Sequence, residues 1–250
     1  MTRNRISQAV FSYLLAFLFL LGLWWFLAWL IDNPGFPYPF TVAVAFIKLF
    51  PTSLWGHLCH SLRRVLVSLS LGLVVGLPLG FWAGRDPRAD AFLSPLIYLL
   101  YPVPKVAFLP VILVLLGIGE ASKILIVFLV VFSQILISSR DAVKKIPREY
   151  ILAVSSLGAG RGDIYLHVIL PACLPDIFTA LRISLGSAIA VLFFSESLAG
   201  NTGLGYFIFD GLFRAEYAAM GAGILALALM GLGLYGLLHL LQRLLCPWSR

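Results

Sequence analysis

A chain of 250 residues that is 61% hydrophobic and only 12% charged, with a mean hydropathy of +0.99, carries far more apolar surface than a soluble core of that size can bury. Composition therefore excludes a soluble globular domain and indicates a polytopic membrane protein. The formal net charge of +7 reads as attraction to anionic lipid and as a topology signal, with no need for nucleic acid.

Six apolar runs come near the roughly 20 residues that a helix needs to cross a bilayer. They fall at 10–31, 62–83, 92–116, 124–138, 177–199 and 220–241. The first follows Arg3 and Arg5, is rich in Trp and has no small-x-small cleavage site, so it is expected to be an uncleaved anchor. Residues 32–56 then collect Pro34, Pro37, Pro39 and Pro51 around a short amphipathic run at 42–50, which is expected to lie along the outer face with its aromatics at headgroup depth. His57-Leu58-Cys59-His60 lacks the spacing of a metal site and reads as a helix entrance.

Arg63 and Arg64 come near the outer end of the second run. One is expected to snorkel, and the other, taken as Arg63, to draw an anion inward. Lys105 sits inside the third run between Pro102, Pro104 and Pro110. A proline-broken backbone at that depth frees carbonyls that only a protein-lined cavity tolerates, so Lys105 is a pathway candidate, with pairing or snorkelling as the alternative. The fourth run is short, and the boundaries of the third and fourth are the least defined.

Between the fourth and fifth runs lies a polar island, RDAVKKIPREYILAVSSLGAGRGDIYLHVILP, from Arg140 to Pro171. Pro147 suits a first helical turn, and Arg148 onward carries apolar residues at Ile151, Val154 and Leu157. Gly158 supplies a stop, and a second short helix is expected over 162–169, ending before Pro171. In the fifth run, Arg182 is expected to meet the polar island or lipid phosphate. Ser184, Ser187 and Ser195 pack by default, with a polar lining as the alternative. Glu196 reads as a gate or interface partner. Cys59, Cys173 and Cys246 are dispersed and odd in number, which implies no disulfide framework.

Basic residues orient the chain. With the N-terminus inside, Arg3, Arg5, Arg85, Arg88, Arg140, Lys144, Lys145, Arg148, Arg161, Arg243 and Arg250 fall on the cytoplasmic side, and Lys48, Lys123 and Arg214 outside.

The island's spacing resembles the E-A-A-x3-G-x9-I-x-L-P loop by which binding-protein-dependent ABC importer permeases dock into their ATPase. Here the pattern falls on Leu152, Ala153, Val154, Gly158, Val168, Leu170 and Pro171. Leu152 replaces the acidic residue and Val154 the second alanine. Glu149, one turn earlier on the same face, is the candidate stand-in. The segments SLRRVLVSLSLGLVVGLPLGFWAG, YPVPKVAFLPVILVLLGIGEASKI and LPDIFTALRISLGSAIAVLFFSESLAGNTGLGY are similar to the same family, the second to its nitrate, sulfonate and taurine branch. The similarity covers about 54–241.

What the resemblance implies is an all-α integral membrane protein with about six transmembrane helices, the type I importer fold, as one domain over 1–250. Within it, 1–53 forms an anchor and outer segment and 54–245 the permease core. It implies a cytoplasmic coupling-helix loop formed by Glu149, Leu152, Ala153, Val154, Ser155, Leu157, Gly158, Ala159, Val168, Leu170 and Pro171. A homodimer in the bacterial inner membrane would engage two ATPase copies and a periplasmic or lipid-anchored binding protein, with both termini cytoplasmic. ATP and Mg would belong to the ATPase, since the chain has no G-x4-G-K-[ST] loop. It also lacks H-E-x-x-H and G-x-S-x-G, leaving an enzyme reading without catalytic residues. The pathway candidates are Lys105, Arg63, Ser184, Ser187 and Glu196. An ion-coupled secondary transporter remains the alternative class, supported by Lys105 and Glu196, and would need no docking loop. The substrate is expected to be an anion such as a sulfonate, taurine, nitrate or bicarbonate, with a vitamin precursor also admitted.

Overall fold

The computed structural model describes residues 2–249, and the side chains of 11–99 and 101–248 among them. Arg250 and the side chains of Arg3 and Arg5, used above for orientation, lie outside the described set. Every regular element described is helical: α1 (Thr2–Ile31), α2 (Pro39–Leu49), α3 (Trp55–Arg85), α4 (Pro87–Leu100), α5 (Leu109–Leu116), α6 (Glu120–Lys144), α7 (Arg148–Ser156), α8 (Arg161–Ile164), α9 (Leu170–Leu198), α10 (Leu204–Phe213) and α11 (Tyr217–Leu245).

The most closely packed pair is α3 against α6, and four glycines explain it. A Cβ on Gly72 would lie 2.6 Å from Val131 Cγ1, on Gly76 3.1 Å from Ile135 Cγ2, on Gly80 2.7 Å from the Leu136 carbonyl and on Gly84 2.6 Å from Val143 Cβ. The ladder repeats every four residues on α3 and, with Ser139 also against Gly80, every four on α6, so a smooth strip of α3 admits the side chains of α6 at backbone distance. Both series ascend together, which makes α3 and α6 parallel.

Parallel neighbours force the chain between them to cross back. The expected third span is therefore a crossing, but not one helix: α4 stops at Leu100, a bend holds Pro102 and Pro104, and a 3-10 turn at Lys105–Phe108 leads into α5. For that reason five helical stretches among the described residues are long and apolar enough to span by themselves: Phe11–Ile31, Pro39–Arg85, Glu120–Lys144, Arg161–Leu198 and Tyr217–Leu245. The fourth expected run is longer than its apolar core suggested, because charged residues at both ends of α6 stay helical by pairing with other elements. Helix α9 runs antiparallel to α6, as Gln134–Ser187 and Lys145–Asp176 contacts show, and α11 runs antiparallel to α9 through Arg182–Gln242 and Gly231–Ile189.

Two prolines, Pro51 and Pro171, are accommodated through π turns that keep the helical path continuous. The expected end before Pro171 does not occur: α8 widens into a π turn at Tyr165–Ile169, closed by Leu170 N–H to the Tyr165 carbonyl, and continues into α9 with Pro171 in its first turn. The wider turn removes the clash that the pyrrolidine ring would make with the preceding carbonyl, and no donor is lost where none is needed. Phe50–Leu54 does the same around Pro51, joining α2 to α3 instead of ending the outer segment there. Helix α2 packs through Val42 on Gly221 of α11, and Trp24 of α1 donates to the Pro37 carbonyl at 3.2 Å.

Candidate functional site

The polar residues of the bundle gather at its two ends. At one end, α7 starts after Pro147, whose extended backbone precedes the first turn, and stops at Leu157. Gly158 then takes φ +85°, a left-handed conformation that a Cβ disfavours. The expected first helix and turn are thus present, while the expected second short helix is instead α8, the start of a helical path that continues through the π turn into α9.

Its two sides differ. Ile151, Ala159 and Tyr165 pack against the core, and Ile164 and Ile169 are buried. Tyr150, Leu152 and Leu166 are exposed, and Leu157 is 86% exposed. Glu149, Ala153, Ser155 and Gly158 also face solvent, whereas Val154, Val168, Leu170 and Pro171 are half-buried. The motif therefore divides into an outward part at 149–158 and an anchoring part at 168–171. The Ser155 and Ser156 hydroxyls bond back to the carbonyls of Ile151 and Ala153, which leaves small side chains rather than free polar groups around the turn.

An ionic clamp ties the last turns of α6, just before α7, to the start of α4. Asp90, ahead of the membrane-spanning run, accepts from Arg140 Nε at 2.5 Å, Lys144 Nζ at 2.5 Å and Ser94 Oγ at 2.8 Å. The Arg140 hydrogen bond above all, with Lys144 and Ser94, holds the Asp90 carboxyl far below the usual carboxylate range against the opposing effect of its burial. The Arg85 guanidinium lies 5.4 Å from the Tyr165 ring centroid, joining the end of α3 to the π turn.

At the opposite end, Arg64 and Glu196 are wholly buried. Arg64 donates to Glu196 Oε1 at 2.6 Å, to Thr202 at its carbonyl (2.9 Å) and hydroxyl (2.8 Å), and to both carboxylate oxygens of Glu120. Glu196 also accepts from Ser61 at 2.8 Å and from the Gly205 N–H at 2.9 Å. The Gly203 N–H donates to His57 Nδ1 at 3.1 Å, so His57 serves the α3 entrance. Among the described residues no group of three potential metal ligands forms.

The five pathway candidates do not converge. Arg63, 59% exposed at its side chain, pairs with Glu120 at 2.8 Å and thereby meets the rim of the Arg64 knot. Glu196 is at its centre. Ser187 accepts from Gln134 at 3.4 Å, and Ser184 bonds back to the Ala180 carbonyl. At about 1.5 Å per helical residue, these serines lie some 14–18 Å below Glu196 along α9. Lys105 donates to the Tyr101 carbonyl at 2.8 Å and stands over the Tyr101 ring at 5.3 Å, in the broken crossing. Arg182, expected near the polar island or lipid, bonds Gln242 and Thr179. Sequence reading missed Glu120, Asp90, Ser61 and Thr202.

Residues 76–250 match the family model described as "Binding-protein-dependent transport system inner membrane component". The chain is similar to the taurine transport system permease protein TauC of Escherichia coli (strain K12), at 37% identity over 92% of this chain and 86% of the other. It is also similar to the putative aliphatic sulfonates transport permease protein SsuC of Bacillus subtilis (strain 168), at 31% identity over 85% and 77%. Among solved structures, an inward-facing conformation of the MetNI methionine ABC transporter aligns with a TM-score of 0.66 at 21% identity, covering 76% of this chain and 94% of that one.

Proposed function

This chain belongs to the family of binding-protein-dependent transport system inner membrane components, the permeases of ABC importers, and from that premise we propose that it carries a small sulfonate-, taurine- or nitrate-type anion inward. In this reading the α7–α8 end is cytoplasmic, because Arg85, Arg88, Arg140, Lys144, Lys145, Arg148, Arg161 and Arg243 are all at or near it. Both termini fall on that side, and a binding protein delivers the solute at the Arg64 end.

Two copies of the chain pair about a two-fold axis, each presenting α7–α8 to one ATPase. The observation that carries this reading is the divided helix–turn–helix: an anchored inner side, and an apolar outer side crowned by Leu157 around small residues and Gly158. Such a surface has no partner among the described residues of its own chain and allows close backbone approach by another protein. Motion imposed there passes into α6 by chain continuity and into α4 through Asp90, a rigid-body route from ATP-driven closure in the partner to the crossing helices. The chain contributes no catalytic residue of its own; it supplies differential fit to two ATPase states. The relatives named for taurine and aliphatic sulfonates support an anionic substrate. Glu196, a main candidate of the ion-driven alternative, is committed to Arg64 and Ser61.

Replacing Gly158 by Trp forces a bulky residue onto a left-handed backbone at the tip. Uptake of radiolabelled taurine or sulfonate and co-purification of the ATPase should both collapse. Uptake that persists with the ATPase lost would instead identify an ion-driven carrier.

A further inference from the structure

We infer that Lys123 is an alternative cation for the Glu196 carboxylate, and that exchange of Glu196 from Arg64 to Lys123 accompanies opening of the Arg64 end of the bundle. Two buried cations share this end, and their bonding is opposite. Arg64 uses every N–H of its guanidinium, on both oxygens of Glu120, on Glu196 Oε1 and on the carbonyl and hydroxyl of Thr202. Lys123, in the first turn of α6, is 2% exposed, and its ammonium forms no hydrogen bond or ion pair among the described residues. Glu120, Glu196 and Arg64 are nevertheless all within electrostatic reach of it. A buried ammonium without a direct partner is costly, so its surroundings must hold it in place.

The backbone shows that this placement is built. The loop 199–203, which joins α9 to α10, has Gly200 at φ +120° and Gly203 at φ +108°. A Cβ on Gly200 would collide with the Lys123 ammonium, and a Cβ on Gly203 with the Glu196 carboxylate. One loop is thus hollowed at one glycine for the cation and at the other for the anion. At the C-terminal end of α9 the ammonium also meets the negative end of the helix dipole, which keeps it close without giving it a carboxylate. Between the glycines, Thr202 is held by Arg64 at 2.9 and 2.8 Å, so the same guanidinium grips Glu196 and the loop that touches Lys123. Release of one frees the other. The glycines let the loop move, the flexible lysine stem supplies reach, and Ser61 and the Gly205 N–H keep Glu196 hydrogen-bonded through the exchange. Helices α3 and α6 stay tied through Arg64 and Glu120, so α9 changes its ionic link from α3 to α6 against a fixed pair, a discrete two-state rearrangement. The use of this exchange in transport rests on the permease role proposed above; the exchange itself does not.

Thermal unfolding of the full chain in detergent tests the exchange, with Lys123→Met made in two backgrounds. In the parent it removes an unpaired buried charge and should leave the melting temperature unchanged or raise it. In Arg64→Met, where Glu196 has only Lys123 to turn to, the same substitution should lower it by about 5 °C or more. Arg64→Gln gives the same comparison if Arg64→Met does not accumulate. In the complex with the ATPase, Lys123→Met should reduce uptake of radiolabelled taurine or sulfonate about ten-fold or more, with ATPase capture unchanged. A similar loss of stability in both backgrounds makes Lys123 a fixed cap of α9, and no effect in either makes it idle; both results overturn the exchange. A reversal of sign with unaltered uptake overturns its part in transport. If the parent complex imports neither solute, the transport reading fails, while the melting comparison still decides the exchange.

Discussion

Arg64 and Glu196, 132 residues apart in the chain, meet at 2.6 Å with neither side chain reaching solvent. Their contact joins α3 to α9, and Glu120 extends it to α6, so one guanidinium fixes the ends of three helices at one end of the bundle. A buried pair of this kind offsets desolvation mainly through its remaining hydrogen bonds, here from Ser61 and Gly205 to Glu196 and from Arg64 to the Thr202 oxygens.

Removing one partner is therefore far worse than removing both. Glu196→Ala should cost about 3–5 kcal/mol, leaving an uncompensated guanidinium in the interior, whereas Arg64→Met with Glu196→Leu should recover a large part of that loss. Thermal unfolding of the purified chain in detergent checks both. If the double variant is no better than Glu196→Ala, the pair does not act as a unit.

The glycine ladder predicts a steep positional contrast. A Val at Gly80 must push against the Leu136 carbonyl, which lies 2.7 Å from its Cβ site and is backbone that cannot rotate away. It should separate α3 from α6 and lower stability by about 1–3 kcal/mol or more. Gly22→Val in α1, where a Cβ meets nothing within 4 Å, should leave the melting temperature nearly unchanged. Equal effects at the two positions would refute the ladder.

Much of this architecture was legible because it rests on local signals. Apolar runs marked the crossings, and Pro147 and Gly158 marked the limits of α7. The misreadings have a common physical origin in long-range compensation. Pro171 looks like a terminator until a π turn five residues long is set before it, and the fourth run looks short because Glu120 and Arg140 are costly in a bilayer unless Arg64 and Asp90 are known to meet them. The third run was legible as a proline-broken span, and the parallel course of α3 and α6 agrees with a crossing there, made of α4 and α5 rather than one helix. The partners of Arg64 were not readable from spacing, since 56 and 132 residues separate it from Glu120 and Glu196. The usable hint was that Arg64 and Glu196 fall near the ends of their apolar runs that share one side of the bundle.

The Asp90 clamp should show a defined pH response. Its folded-state pKa is depressed below the ordinary 3.8, so the stabilisation is fully present above that value and is lost as pH falls below it toward the folded-state value. Asp90→Asn should therefore lower the melting temperature by a constant amount between about pH 5 and 8, and the gap to the parent should narrow only below about pH 4. A gap that already closes near pH 6 would mean that another group, not Asp90, is titrating.

Leu157 separates docking from folding. Its side chain is 86% exposed at the tip of the helix–turn–helix, so Leu157→Asp removes almost no internal contact and should change the stability of the isolated chain by less than about 0.5 kcal/mol. If the tip seats in a pocket of the ATPase, burying a carboxylate there should cost more than about 2 kcal/mol and reduce co-purification by over ten-fold. Leu152→Asp, at an exposed position more than a turn away on α7, maps the same footprint and should weaken association by a smaller factor. Unaltered ATPase capture by Leu157→Asp, alongside an unaltered melting temperature, would remove this tip from the interface and with it the route by which force is proposed to enter the bundle.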